Sequence, residues 1–469
     1  MKLKTILSIL FLALSATVSA QREEGGARIP FPGGKAYIFR VQLSDKQGCT
    51  YSLDKPGEFL SAKAIERRTR QHLRVDSTDL PLSKTYLGEL RRCGLHVVGG
   101  SKWNNTVLVK SSDSAVVDKL HKFSFVRAVT KVYVTPDSVK KPAPHALEKD
   151  TAKAYVDASQ GCYGKGFWQI DVLGGRALHE KGFRGKGMTI AILDGGFMNA
   201  DKIPALRAAH VVATRDCAWP YSQNVYSLID HGTSVLSCMA ARDSGRFIGD
   251  APEADFVLIR TEIAQGESLL EEDNWAMGAE YADSIGADLI NSSLGYFSYD
   301  DASTSYRYCD LDGRTALISR TAAMLARKGI ILVNSAGNAG EGEWKKISVP
   351  ADAPDILTVG ALRKPGHNAT FSSIGPSADG RVKPDVMAPG NPVTVISGKG
   401  VIRLSNGTSF AAPITCGLVA CLWQALPGKT ATDIIELVRR SADNYLTPDN
   451  IFGYGMADFS KALRLAVNS

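Results

Sequence analysis

Downstream of residue 160 the chain alternates short, almost uninterrupted apolar runs with longer amphipathic ones. The runs MTIAILD, DFVLIRTEI, ADLINSSLG, IILVNSAGN and DILTVGAL are of the first kind. Strands read this way when both faces of their sheet are covered, so they predict a parallel sheet. Between them, NWAMGAEYADSIG and GRTALISRTAAMLARKG carry apolar residues at helical spacing. The alternation predicts an α/β fold, a doubly wound and mainly parallel sheet with helices on both sides. Chemistry in such sheets gathers at the carboxyl ends of strands, and Asp194, Asn291 and Asn338 fall at or just past such ends.

Residues 27–135 follow a different pattern. A strand in KAYIFRVQL is followed by helices in GEFLSAKAIERRTRQHL and SKTYLGELRRC. Strands around HVVGG and NTVLVKS, a helix in DSAVVDKLHKF and a strand in FVRAVTKVYVT complete the stretch. This predicts a small α+β unit of ferredoxin-like type. Residues 136–162 show no periodicity, and their Pro, Lys and Ala content reads as an exposed linker open to proteolysis. Residues 163–469 form the α/β unit. Residues 1–20 place Lys2 and Lys4 ahead of an apolar run from Ile6 to Leu14 and end in Val18-Ser19-Ala20, which reads as a cleaved secretory signal. Gln21 follows, where a lipid-anchored protein would need Cys. No later segment is expected to span a bilayer, so no membrane contact is expected once the signal is removed and a secreted or periplasmic location follows.

Composition agrees with a large soluble core, since 44% of the 469 residues are hydrophobic and 22% charged. Charge changes the picture more. Residues 21–135 hold 20 basic and 11 acidic residues, whereas residues 136–469 hold 33 and 37. The basic excess at the front has no aromatic stacking module beside it, which argues against nucleic acid. It fits a basic front unit docked on an acidic body, with Arg67, Arg68 and Arg70 on a docking or solvated face. Glu271, Glu272 and Asp273 open a predicted helix and are expected to be solvated there rather than to bind metal. Of the eight cysteines, Cys238, Cys416 and Cys421 lie in apolar helical runs and read as buried thiols. Cys49 with Cys93, and Cys217 with Cys309, are left open as disulfide pairings in a chain that leaves the cytosol.

One hydroxyl stands in unusually small surroundings, Ser409 in NGTSFAAP. By itself Gly-Thr-Ser is a common helix cap. Two other stretches give it partners: AILDGG ends a predicted buried strand with Asp194, and DHGTSVLSCMAA opens a predicted helix with His231. A serine nucleophile needs a base to take its proton and a third group to orient that base. The order acid, base, nucleophile differs from the serine, acid, histidine order of an α/β-hydrolase, which disfavours an esterase.

With Asn338 in NSAGN as a fourth site, the chain resembles the subtilisin-like serine peptidases (subtilases) over roughly residues 163–469. GDAPEADFVLIR, KPDVMAPG and YGMADFSKAL resemble further landmarks of that family. The resemblance implies a secreted serine endopeptidase with Asp194, His231 and Ser409 as its triad and Asn338 as oxyanion donor. It implies that Ser293, Leu294 and Gly295 pair with extended polypeptide substrates, and that Ala336 and Gly337 wall the pocket for the residue before the cut, an apolar or large one. It makes residues 27–135 a prosegment that assists folding, inhibits the enzyme and is removed by cleavage between about Thr135 and Gly164. No cofactor is required on this reading, no metal ligand is assigned, and structural calcium stays unassigned. Asp194-Gly195-Gly196 replaces the family's Asp-Ser/Thr-Gly, and Ser234 stands where a second His is usual. The alternative reading is a catalytically inactive subtilase scaffold that binds partners.

Overall fold

A computed structural model describes residues 28–31, 34–140, 146–148, 161–218, 224–264 and 266–467. The expected signal, residues 1–20, lies outside the described residues, as does much of the expected linker.

The front unit is a four-stranded antiparallel sheet. Its strands are β1 (Tyr37–Leu43), β2 (His96–Ser101), β3 (Thr106–Ser111) and β4 (Val126–Val134), in the spatial order β2-β3-β1-β4. Helices α1 (Ala62–Arg70) and α2 (Lys84–Arg92) lie between β1 and β2, capped by the Ser61 and Ser83 hydroxyls. Alternation along the strands divides the side chains. Phe39, Val41, Val107 and Val109 join Leu90 and Phe125 in the unit's own core. Leu108, Val132 and the loop residue Trp103 point the other way, into a cluster shared with the body. The expected linker is partly ordered: Ser138–Lys140 pairs antiparallel with Arg28–Pro30, and Val139 is buried. The exposed-strip expectation therefore fails at Val139, where a partner strand takes up the backbone and the side chain is buried.

The body is built on β5 (Thr189–Asp194), β6 (His210–Asp216), β7 (Asp255–Arg260), β8 (Leu289–Ser292), β9 (Ile331–Ser335), β10 (Leu357–Arg363), β11 (His367–Asn368) and β12 (Val386–Asn391). The order is β11-β10-β9-β8-β5-β7-β6, with β12 also on β10, and every pairing is parallel except β10 with β11. After β5 the chain goes to the outer edge with β6, fills the gap with β7, and then crosses with β8 to the other side of β5. The carboxyl ends of β5 and β8 thus flank a point where strand order reverses, the position at which open α/β sheets take ligands. Helices α3 (His231–Ala240), α4 (Leu270–Ile285), α5 (Leu317–Leu325) and α6 (Thr408–Ala425) cover the faces. By length and composition α6 would pass for a membrane span, contrary to the expectation that no later segment does. It is the core helix, with 89% of that window buried.

The front unit rests on α4 and α5. Arg67 and Arg68 of α1 are buried at this contact. Arg67 donates to Asp283 at 2.5 Å and to the carbonyls of Ala287 and Lys328, and Arg68 bridges Asp79 and Asp283 at 2.9 Å each. Lys328 of the body answers Asp79 at 2.9 Å and Thr78 at 2.7 Å. Each unit thus supplies both signs of one buried network.

The eight cysteines are all free thiols, so neither open pairing is formed. Cys217 lies in partly buried surroundings, and burial pushes its thiol up to about 12, whereas Cys309 is exposed.

Candidate active site

Asp194 is the last residue of β5 and is fully buried. Its backbone is fixed by β7, where Arg260 lies opposite in register and Thr261 N–H donates to the Asp194 carbonyl at 3.0 Å. Its carboxylate accepts the Gly195 N–H at 2.7 Å and faces His231 Nδ1 at 2.9 and 3.0 Å. His231 is the first residue of α3, and Gly232 beside it packs so closely on Gly196 that a Cβ would strike the Gly196 carbonyl and the Phe197 ring. This contact presses the helix start onto the turn after Asp194. Burial pulls the His231 pKa down. The Asp194 charge, the Asp194 hydrogen bond and the Asp230 charge outweigh it, and the net shift is upward.

Ser409 is the second residue of α6. The N-cap Gly407 has φ +151° and ψ 147°, a conformation essentially reserved for glycine. Ser409 N–H is among the first-turn amides that have no acceptor within the helix. The Ser293 hydroxyl donates to the Ser409 carbonyl at 2.8 Å, and Ser409 Oγ reaches back to the Ser293 carbonyl at 3.4 Å. No hydrogen bond from Ser409 Oγ to His231 is formed among the described residues. The ring of the adjacent Phe410 lies 6.0 Å from the His231 ring, and α3 packs on α6. Nucleophile-to-base bonds are commonly long until substrate is bound.

Asn338 follows β9. Its Oδ1 accepts from Thr408 N–H at 3.0 Å and from Thr408 Oγ at 2.9 Å, which ties the amide to the helix start and leaves Nδ2 as its donor end. Leu294 and Ala336 are buried, Gly295 is exposed and Gly337 half-buried. This run therefore offers backbone rather than side chains to a groove. Ser234, the replacement for a second His, is buried and donates to the Ile396 carbonyl at 3.2 Å. Sequence reasoning missed Thr408 as the anchor of Asn338. It also missed Asp230, whose carboxylate accepts Gly398 N–H at 3.0 Å beside His231. Both stand beside a motif residue, yet each role depends on a contact with a distant loop.

Glu271, Glu272 and Asp273 are buried, contrary to the solvated helix start expected of them. Arg40 of β1 covers Asp273 at 2.6 Å, the Tyr299 and Tyr306 hydroxyls donate to Glu272, and the N–H groups of Ile263 and Ser268 donate to Glu271. Oxygens of Glu262, Glu267 and Glu271 come within 4.8 Å of one another. Tyr296 donates to Glu262 and two backbone N–H groups donate to Glu271, and burial raises all three carboxyls above their usual range.

The profile of the subtilase family (Peptidase S8) matches residues 185–455, more than half of the chain. The chain belongs to the subtilase family. A second profile, the Peptidase S8 propeptide domain of Bacteroidota, matches residues 38–149. Alkaline elastase YaB of Bacillus sp. (strain YaB) is 27% identical over 357 residues, 75% of this chain and 84% of that protein. Subtilisin NAT of Bacillus subtilis subsp. natto is 27% identical over 336 residues, 69% and 79% respectively. The solved epidermin leader peptide processing serine protease of Staphylococcus aureus superposes with a TM-score of 0.62 at 17% identity, covering 92% of this chain and 98% of that one. That likeness supports the fold. The subtilase is thus a subtilisin-like serine endopeptidase carrying its own propeptide, with polypeptides as substrates.

Proposed function

We propose that this subtilase cuts peptide bonds with Asp194, His231 and Ser409 as its triad, as a secreted enzyme made in a self-processing precursor. The observation that carries the reading is the Asp194–His231 pair at 2.9 Å on the carboxyl edge of the sheet, beside the start of α6. Ser409 Oγ attacks the carbonyl as His231 Nε2 takes its proton, and Asp194 holds the ring and stabilises its cation. The imidazolium returns the proton to the leaving amine, and water hydrolyses the acyl-enzyme by the reverse sequence. Asn338 Nδ2 and the Ser409 N–H receive the oxyanion, aimed at charge that is complete only near the transition state. Ser293, Leu294 and Gly295 take substrate as an added strand, which reads main chain more than side chain.

In the precursor, residues 1–20 serve as the export signal, 27–135 as inhibitor and folding assistant, and 136–162 as the linker in which maturation cuts. Residues 163–469 are the catalytic unit. The buried ion network and the basic front charge support this division.

A fluorophosphonate probe tests the reading. The wild type should be labelled after processing, and Ser409→Ala should be neither labelled nor processed when purified alone. Equal labelling of the two proteins would refute the assignment.

A further inference from the structure

Asp250 is fully buried, and neither oxygen of its carboxyl finds a hydrogen-bond partner among the described residues. Buried polar atoms are nearly always paired, so two open ones on a single side chain need a reason. Packing fixes them in place. The N–H groups of Gly249, Asp250 and Ala251 donate to the carbonyls of Ala241, Cys238 and Met239, each at 2.9 Å, so this segment closes the carboxyl end of α3. A Cβ on Gly417 of α6 would lie 2.9 Å from the Asp250 Cβ, which leaves the side chain no room to withdraw. Asp250 thus stands where the helix carrying His231 meets the helix carrying Ser409.

Among the described residues no positive charge answers it there. Its neighbour on α3 is Cys238 and on α6 Cys421, whose thiols are pushed well up by burial, with the Asp250 charge acting the same way. His179, in the helix Gly175–Glu180, faces the Asp250 carbonyl through Nε2 at 2.9 Å and the Tyr163 hydroxyl through Nδ1 at 3.1 Å. Burial brings that imidazole down to about 4, so it is neutral at ordinary pH. Arg184 and Glu253 pair with each other at 3.2 Å. The end of α3 is the negative pole of the helix, which opposes a further negative charge. Burial, with nothing set against it, raises the Asp250 carboxyl well above its usual range.

We propose that Asp250 is a pH-sensitive switch at the contact of α3 with α6: the folded chain holds it as a neutral acid, and its ionisation in alkali pries the two helices apart. Below about pH 3.9 the folded and unfolded chains both keep the proton, and the fold bears no cost. Above it the unfolded chain ionises first, so the unfolding constant rises about tenfold per pH unit until the folded group ionises too. Stability is therefore lost as pH climbs. The contact that loosens is the one that keeps His231 and Ser409 together.

Denaturant unfolding at about pH 5 and about pH 7 tests it, on the full chain in the Ser409→Ala background with and without Asp250→Asn. The ratio of the two unfolding constants, Asp over Asn, should grow at least about tenfold between those pH values. Infrared spectra at neutral pH should show a protonated-carboxyl band that the substitution removes. Asp250→Val, which leaves no polar atom, serves for both readouts if the amide prevents folding. A ratio that does not change with pH would overturn the switch, as would a spectrum whose carboxyl bands the substitution leaves unaltered. Neither readout needs a working triad, so the result stands apart from the function proposed above.

Discussion

His231 sits between two carboxylates with different tasks. Asp194 bonds its Nδ1, and Asp230 acts only through its charge. In the proposed mechanism the base works as neutral imidazole, so kcat/KM should climb with pH through a midpoint above the ordinary histidine value of about 6.5. Asp230→Asn removes one of the charges that favour the imidazolium while keeping an acceptor for Gly398. The midpoint should therefore move down, with the plateau little changed, in a pH profile of kcat/KM. A midpoint that stays in place would remove Asp230 from the electrostatics of the site. The residues proposed to bear the chemistry stood out in the sequence because each is embedded in glycines and small residues. Asp230 and Thr408 stand inside those motifs, but their bonds to Gly398 and Asn338 arise only where separate loops meet.

Among the elements, the buried parallel strands were the easiest to read, since uninterrupted apolar runs leave few alternatives. β6 was harder: it is an edge strand with an exposed, polar pattern, and nothing in HVVATRD marks a parallel partner. β12 was visible only as the landmark KPDVMAPG. The structure supplies the reason for its Lys and Asp. Asp385 is buried just before the strand, accepting Lys383 Nζ at 2.8 Å, Arg439 at 2.6 Å and Thr358 N–H at 2.8 Å. Burial works against its charge, but the two cations and these hydrogen bonds outweigh it and hold the carboxyl below its usual range. Stability from such a carboxylate is present above its unfolded value and is lost as pH falls through its folded one. Asp385→Asn, in the Ser409→Ala background to suppress self-digestion, should cost about 3–5 kcal/mol in denaturant unfolding. The difference should shrink toward acid pH.

On the scale of the molecule, the charge asymmetry pointed to docking, and the contact is more specific than net charge could suggest. Solvation at the start of α4 was the wrong expectation because its partner Arg40 lies 233 residues away, in the other unit. Long-range pairing of this kind leaves no local trace in a single sequence. Asp283 is the centre of the interface, accepting from both Arg67 and Arg68. Removing it leaves two buried guanidinium groups short of an anion, which costs far more than losing a surface pair. After processing, Asp283→Ala should let the prosegment separate on gel filtration under conditions in which the wild-type fragments stay together. Co-elution of the variant fragments would show that the remaining contacts, Arg40–Asp273 and Lys328–Asp79 among them, hold the units without Asp283.

The reciprocal network at that interface separates two events that a single cut would otherwise merge. With the front unit as the inhibitor proposed above, severing the linker would remove the covalent tether and leave every one of those ions in place, so the first nicked copies should stay silent in one-to-one pairs. Once one copy sheds its companion, it can digest the companions of the others. A population should accordingly switch on after a lag and then all at once.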